Sequence, residues 1–300
     1  MNKDGILFLR LDSEDFYSTN IKKQGVRVES TFKSMNRLGK IIRRFQIKFS
    51  LDITRWLGDW MYELDTVDTI ILQDSILIPP VIDYINSINN NIRIILWYWN
   101  PVGKTVSLNE VDRNKCEVWS FDEDDCIKYQ LNYNTQYYFN DITISKKNTE
   151  SKIDALFLGK DKGRLEKLLK LEKQLNTTGL KTYFHITPDN RKKIRYINEY
   201  KKSIAYEKYL KYIENSKAII DYVSADQRGL TLRPLESLFL DKKLITNDFN
   251  IKNRDFYRKE NIFILNEDED ILSFINEPTV PVNKEIKEKY EFNTWLKRFF

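Results

Sequence analysis

Short apolar runs recurring between stretches of helical spacing constrain this chain more than any other feature. Residues 6–11 (ILFLRL), 69–72, 92–99 and 116–121 each have the length and apolar content of a buried strand. Between the first two, 22–38 carries Val28, Phe32 and Met35 at i, i+4 and i+7 with Gly39 as a stop, and is expected as a helix. Residues 41–49 alternate roughly with basic residues, like a strand with one wet side. Residues 52–64 place Trp56, Trp60 and Leu64 every fourth position and read as a helix. Pro79 opens a helix to about 88, and 124–130 forms a shorter one. Strand and helix in alternation specify a parallel sheet covered by helices. Residues 139–151 are polar, and the pattern then restarts. Strands are expected at 155–158, 182–186, 218–223 and 243–246, with helices at 164–175, 206–213 and 232–240. The expected organisation is two α/β domains, 1–148 and 149–278, followed by a C-terminal helix in 279–300 anchored by Trp295, Phe299 and Phe300.

Composition narrows the function classes. Of 300 residues, 41% are hydrophobic and 13% aromatic, enough for two cores and too many for a disordered chain. The longest apolar run, 94–99, is six residues, far below the ~18 that span a bilayer. The apolar stretch 6–9 is too short for a signal peptide. Two cysteines, Cys116 and Cys126, make no disulfide framework, so a reducing cytoplasm is expected. With one histidine, His185, most zinc sites and His-dependent nucleophiles have little material to work with. The charge is uneven. Residues 22–48 hold nine Lys or Arg and a single acid, Glu29, a local +8 on a chain whose total is +5. Such a stripe suits an anionic partner, or else a solvated face.

The richest chemistry lies in 218–246, AIIDYVSADQRGLTLRPLESLFLDKKLIT. An apolar strand ends in a polar loop containing Gly229, which feeds a helix beginning Leu230, Thr231, Leu232, Arg233. Free amides at a helix start hold phosphate oxygens, and glycine lets the backbone approach closely. Arg233 adds charge-assisted hydrogen bonds to a diphosphate, and Glu236, one turn on, is placed to accept from ribose hydroxyls. An ordinary strand–loop–helix unit with a surface Glu would look the same.

This stretch resembles the nucleotide-sugar site of GT-B glycosyltransferases, especially bacterial ones that build lipopolysaccharide and capsular polysaccharide. The resemblance implies two Rossmann-like domains facing across a cleft, with a C-terminal helix crossing back to the first domain. It implies donor contacts from Arg228, Gly229, Leu230, Thr231, Arg233 and Glu236. Gly159, Lys160 and Lys162 look like the loop after the first strand of the second domain. Ile204 and Tyr206, in the 203–206 segment before a helix, look like the base-recognition segment. Many retaining members carry two Glu eight positions apart. Here Arg228 stands eight before Glu236, so an inverting reaction is expected.

The resemblance further implies a metal-independent, hexosyltransferase-like enzyme that needs no cofactor beyond its nucleotide-sugar substrate. It implies a glycan or lipid-linked acceptor, such as those at the inner face of the plasma membrane, with the basic 22–48 segment available to hold that surface. An inverting transferase needs a base for the acceptor hydroxyl. Asp12 and Asp15, after the first strand, and Asp74, at the tip of a later one, are the candidates. Asp122, Glu123, Asp124 and Asp125 look like a metal motif but read better as a capped helix start. Trp97 and Trp99 share one side of a strand and suit core packing or a sugar platform, and His185 suits a structural role. The rival readings are a non-enzymatic module that binds anionic membranes through 22–48 and a nucleotide-sugar epimerase. Nucleic acid is not an expected partner.

Overall fold

The structure, a computed structural model, describes residues 2–145, 151–189, 198–224 and 229–300. It forms two compact units: Met1–Gln136 with Leu296–Phe300, and Tyr137–Trp295.

The first unit is built on six strands: β1 (Ile6–Arg10), β2 (Arg27–Ser30), β3 (Thr69–Gln73), β4 (Arg93–Tyr98), β5 (Glu117–Ser120) and β6 (Asn132–Tyr133). All pairs are parallel, in the order β2-β1-β3-β4-β5-β6. The helices are α1 (Phe16–Lys23), α2 (Arg37–Lys48), α3 (Pro79–Ile88) and α4 (Glu123–Tyr129). The central strands are apolar on both faces because both are covered. Leu7, Leu9, Ile70, Leu72 and Leu96 point into one core and are all fully buried. Each such side chain contributes roughly 1.5–3 kcal/mol. Trp97, on the opposite face, is fully buried with its ring edge-on to Phe299, which also meets Trp119. Trp97 is therefore core packing.

Three expectations for 22–64 are corrected. The helix expected over 22–38 ends at Lys23, and Gly25 turns the chain with φ +80° into β2. A left-handed residue cannot continue a helix, and parallel pairing with β1 outweighs the weak spacing of Val28, Phe32 and Met35. The strand expected over 41–49 is instead the helix α2, capped by Asn36, whose side chain accepts from the Gly39 amide at 2.8 Å. Its apolar residues Leu38, Ile41, Ile42 and Phe45 recur at three and four, and the apparent alternation was the shadow of that period. The helix expected over 52–64 is a series of single 3-10 turns at Thr54–Trp56, Asp59–Tyr62 and Leu64–Thr66. Gly58 runs so close to β2 that a Cβ there would sit 2.4 Å from the Ser30 carbonyl oxygen. Trp60 is buried and donates its indole N–H to the Thr31 carbonyl at 3.1 Å.

The second unit carries five parallel strands: β7 (Ile153–Lys160), β8 (Thr182–Thr187), β9 (Ser216–Asp221), β10 (Lys243–Thr246) and β11 (Ile262–Ile264), in the order β11-β10-β9-β7-β8. Its helices are α5 (Leu165–Thr177), α6 (Tyr206–Glu214), α7 (Leu232–Phe239), α8 (Ile271–Asn276), α9 (Lys284–Lys289) and α10 (Phe292–Lys297), the division between the units falling within the last, after Trp295. The expected single tail helix is two short ones, broken at Tyr290, whose ring packs on Phe256 and whose hydroxyl donates to Asp255. β11 and α8 were not expected from the sequence.

In each sheet the strand order reverses direction once, between β1 and β3 and between β7 and β9. Beyond the carboxyl ends of strands at such a switch point, helix starts and loops diverge and leave a crevice for ligands.

Candidate functional site

At the second switch point, β7 ends in Lys160 and runs into Asp161, Lys162 and Gly163. Lys162 and Gly163 both have positive φ, +48° and +75°, which makes the loop sharp and gives Gly163 a conformational reason. Asp161 caps α5: one carboxylate oxygen accepts from the Arg164 and Leu165 amides, both at 2.7 Å, and the other accepts from the Tyr200 hydroxyl at 2.6 Å. Arg164 folds back over the loop, donating to the carbonyls of Asp161 (3.1 Å) and Lys160 (3.0 Å). Desolvation by the surrounding loop, then the charge of Arg164, lowers the Lys162 ammonium pKa. Several cations are thus drawn together at one strand end.

Opposite them, β9 ends in Asp221, which is buried. Burial pushes its carboxyl up to about 6, against the pull of the Thr231 hydroxyl and the Arg233 charge. Thr231 joins strand to helix. Its hydroxyl donates to Asp221 at 2.8 Å while the same oxygen accepts from the Arg233 amide at 3.3 Å as the cap of α7. Gly229 and Leu230, just before this cap, are buried.

Arg233 and Glu236 face inward. The Arg233 guanidinium pairs with Glu236 at 2.5 Å, donates to the Leu158 carbonyl of β7 at 2.9 Å, and lies 4.6 Å over the Tyr209 ring. Burial opposes its charge, but Glu236 and the neighbouring tyrosines outweigh that and hold it charged. Glu236 is 0% exposed. Its oxygens accept from the Tyr206 hydroxyl at 2.5 Å and the Tyr209 hydroxyl at 2.7 Å, and the Tyr138 hydroxyl lies 2.9 Å from that of Tyr206. The carboxylate expected to meet ribose hydroxyls is instead the hub of a buried network. Tyr206, expected in base recognition, spends its hydroxyl on the same hub, while Ile204 stays half-buried ahead of α6. Gly159 and Lys160, expected in the loop after the strand, are the last two residues of β7, and Arg228 lies outside the described residues. Sequence reasoning missed Asp161, Arg164, Tyr209 and Asp221. For Asp221 the signal was present, a lone acid closing an apolar strand.

At the first switch point the acids take other roles. Asp15 caps α1, accepting from the Ser18 amide at 2.7 Å, and pairs with Arg10 at 3.0 Å. Arg10 ends β1, is buried, and lies about 6 Å from the Phe8, Tyr17 and Trp99 rings. Asp12 is exposed and closes a turn on the Glu14 amide at 2.9 Å. Asp74 is buried and accepts from the Trp99 amide at 3.0 Å and the Asn100 side chain at 3.2 Å. Burial raises its pKa. A carboxyl with a raised pKa is a better proton acceptor than an ordinary one.

Asp122 is the cap of α4, accepting from the Asp124 and Asp125 amides at 3.1 and 3.2 Å. Among the described residues, no group of three or more His, Cys, Asp or Glu is placed to hold a metal ion. His185 is buried, with Nε2 2.8 Å from the Lys202 carbonyl, and burial lowers its pKa. It acts as a neutral structural donor.

Neither a family model nor a curated protein matches this chain. Among solved structures, it is similar to a protein described as a UDP-N-acetylglucosamine 2-epimerase from Listeria monocytogenes, at 8% identity and TM-score 0.47 over 99% of this chain and 95% of that one. A weaker likeness is to a 5-methylthioribose transporter solute-binding protein from Thermotoga lettingae, at 11% identity and TM-score 0.24 over 85% of this chain and 71% of that one. Another is to an NAD+-bound 3-phosphoglycerate dehydrogenase from Entamoeba histolytica, at 12% identity and TM-score 0.24 over 88% and 87%.

Proposed function

We propose that this chain is a nucleotide-sugar enzyme of the glycosyltransferase kind, with the donor diphosphate held at the carboxyl edge of the second sheet. One observation supports the reading above the others. Lys160, Lys162 and Arg164 gather at the switch point of a parallel sheet, with the start of α7 at the end of the neighbouring strand. Cations gathered at a strand end stabilise a departing diphosphate. Arg233 adds its field from behind, and Glu236 acts as a positioning residue that fixes Arg233, Tyr206 and Tyr209. The sugar passes to a hydroxyl of a glycan or lipid-linked acceptor with inversion. Among the acids at the first unit's own strand ends, Asp74 is the one suited to accept a proton, because Asp15 is committed to its cap and to Arg10 while Asp12 is exposed and closes a turn.

Calorimetric titration against UDP, GDP, ADP and CMP tests the donor half. One of these is expected to bind, and Lys160→Ala with Lys162→Ala is expected to weaken it about 10–100-fold with an unchanged thermal melt. Absence of binding by any of them, or unchanged affinity in the double variant, overturns the assignment.

A further inference from the structure

The helix α2 (Arg37–Lys48) has three facets. The inner one rests on the first unit: Gly39 and Arg43 are buried, the Arg43 guanidinium lies 4.0 Å over the Phe32 ring, and Ile47 packs on the core. A second facet is apolar and faces water. Leu38 is 63% exposed, Ile41 56%, Ile42 37%, Phe45 57% and Phe49 54%. Their spacing of three and four gathers them into a stripe about 100° wide. The third facet, beside the stripe, carries Arg37, Lys40, Arg44 and Lys48, all exposed. No acid lies anywhere on the helix. Scattered exposed apolar residues are ordinary, but five large ones in one stripe mark a surface that something covers.

The charges decide what covers it. A second copy docked on the same face would set one basic row against another. A nucleic acid would use the cations and leave the stripe in water. A bilayer with anionic headgroups satisfies both facets at once: acyl chains take the stripe, and headgroups take the row beside it. We propose that α2 is an in-plane anchor that seats the first unit on an anionic lipid surface. The inference stands on this unit alone and does not depend on the nucleotide reading.

The test is co-sedimentation of the full chain with phosphatidylcholine vesicles, with and without phosphatidylglycerol. Binding is expected only where the anionic lipid is present. Ile41→Ser with Phe45→Ser should reduce it at least about tenfold. Arg44→Glu with Lys48→Glu should reduce it about fivefold or more per charge. Both pairs lie on exposed positions, so the thermal melt should stay at the wild-type value, as should nucleotide affinity. Phe45→Cys labelled with an environment-sensitive dye gives a second readout, since Cys116 and Cys126 are buried. Its emission should shift to the blue on anionic vesicles. The proposal is overturned by failure to bind anionic vesicles, by binding that the serine pair leaves intact, or by a solution dimer that the serine pair dissolves.

Discussion

The two parallel sheets share a topology at their switch points and use charge there in opposite ways. In the first unit, Asp12 and Asp15 sit toward water, and their work is local: a turn, a helix cap and one pairing with Arg10. Asp74 alone is buried, satisfied by the backbone and side chain of the neighbouring strand end. In the second unit Lys160 and Lys162 are outside and the acids Asp221 and Glu236 are inside, Asp221 held by the Thr231 hydroxyl and Glu236 by Arg233 of its own helix and by the Tyr206 and Tyr209 hydroxyls. A ligand meeting the second edge meets positive charge. A ligand meeting the first meets carboxyl groups. One fold thus presents two chemistries, and the difference comes from which sign of charge is turned inward.

The contrast breaks most visibly at Glu236. Glu236→Ala leaves Arg233 and two tyrosine hydroxyls buried without their partner, which implies a loss of about 3–5 kcal/mol, read as a lowered urea midpoint. An unchanged midpoint would mean the hub is not structural. Next comes Asp221. Its carboxyl titrates at about 6 rather than at the ordinary 3.8, so the protonated form is the one the fold favours. That contribution is full below about pH 3.8 and is lost as pH rises through about 6. Relative to Asp221→Asn, the wild type should therefore lose about 2 kcal/mol between pH 4 and 7, measured as the difference of denaturation curves across that range. Parallel pH profiles for the two proteins would refute it. Smaller effects belong to the first edge. Asp15→Ala removes a cap and a partner of Arg10, for about 2 kcal/mol, again by urea denaturation. Asp12→Ala, exposed and in a turn, should stay within about 0.5 kcal/mol. A large effect there would erase the distinction between the two edges.

Particular residues show how far the sequence could be read. The runs that became β1, β3, β4, β7, β9 and β10 were apparent because strands buried on both faces are continuously apolar. The cap at Asp122 was readable because capping is a matter of two or three residues. The segment between β1 and β3 was misread because β2 is an edge strand of four residues with a half-wet pattern. Its pairing with β1, which the local sequence does not encode, decides its state. For α2, a helix with an apolar stripe left in water mimics strand alternation over a short window.

For the site, sequence alone marked the stretch with Gly229, Thr231, Arg233 and Glu236, and gave those residues their chemical types. It also fixed the parallel α/β class and the local +8 of residues 22–48. Only the tertiary structure decided that Glu236 turns inward to Tyr206 and Tyr209, that Arg233 reaches the Leu158 carbonyl, and that α2 keeps its apolar stripe in water. The physical reason is range. Hydrophobic period and capping act over a few residues. The partner of a buried charge is chosen by whatever the sheet brings alongside, which for Arg233 and Leu158 lies 75 residues away along the chain.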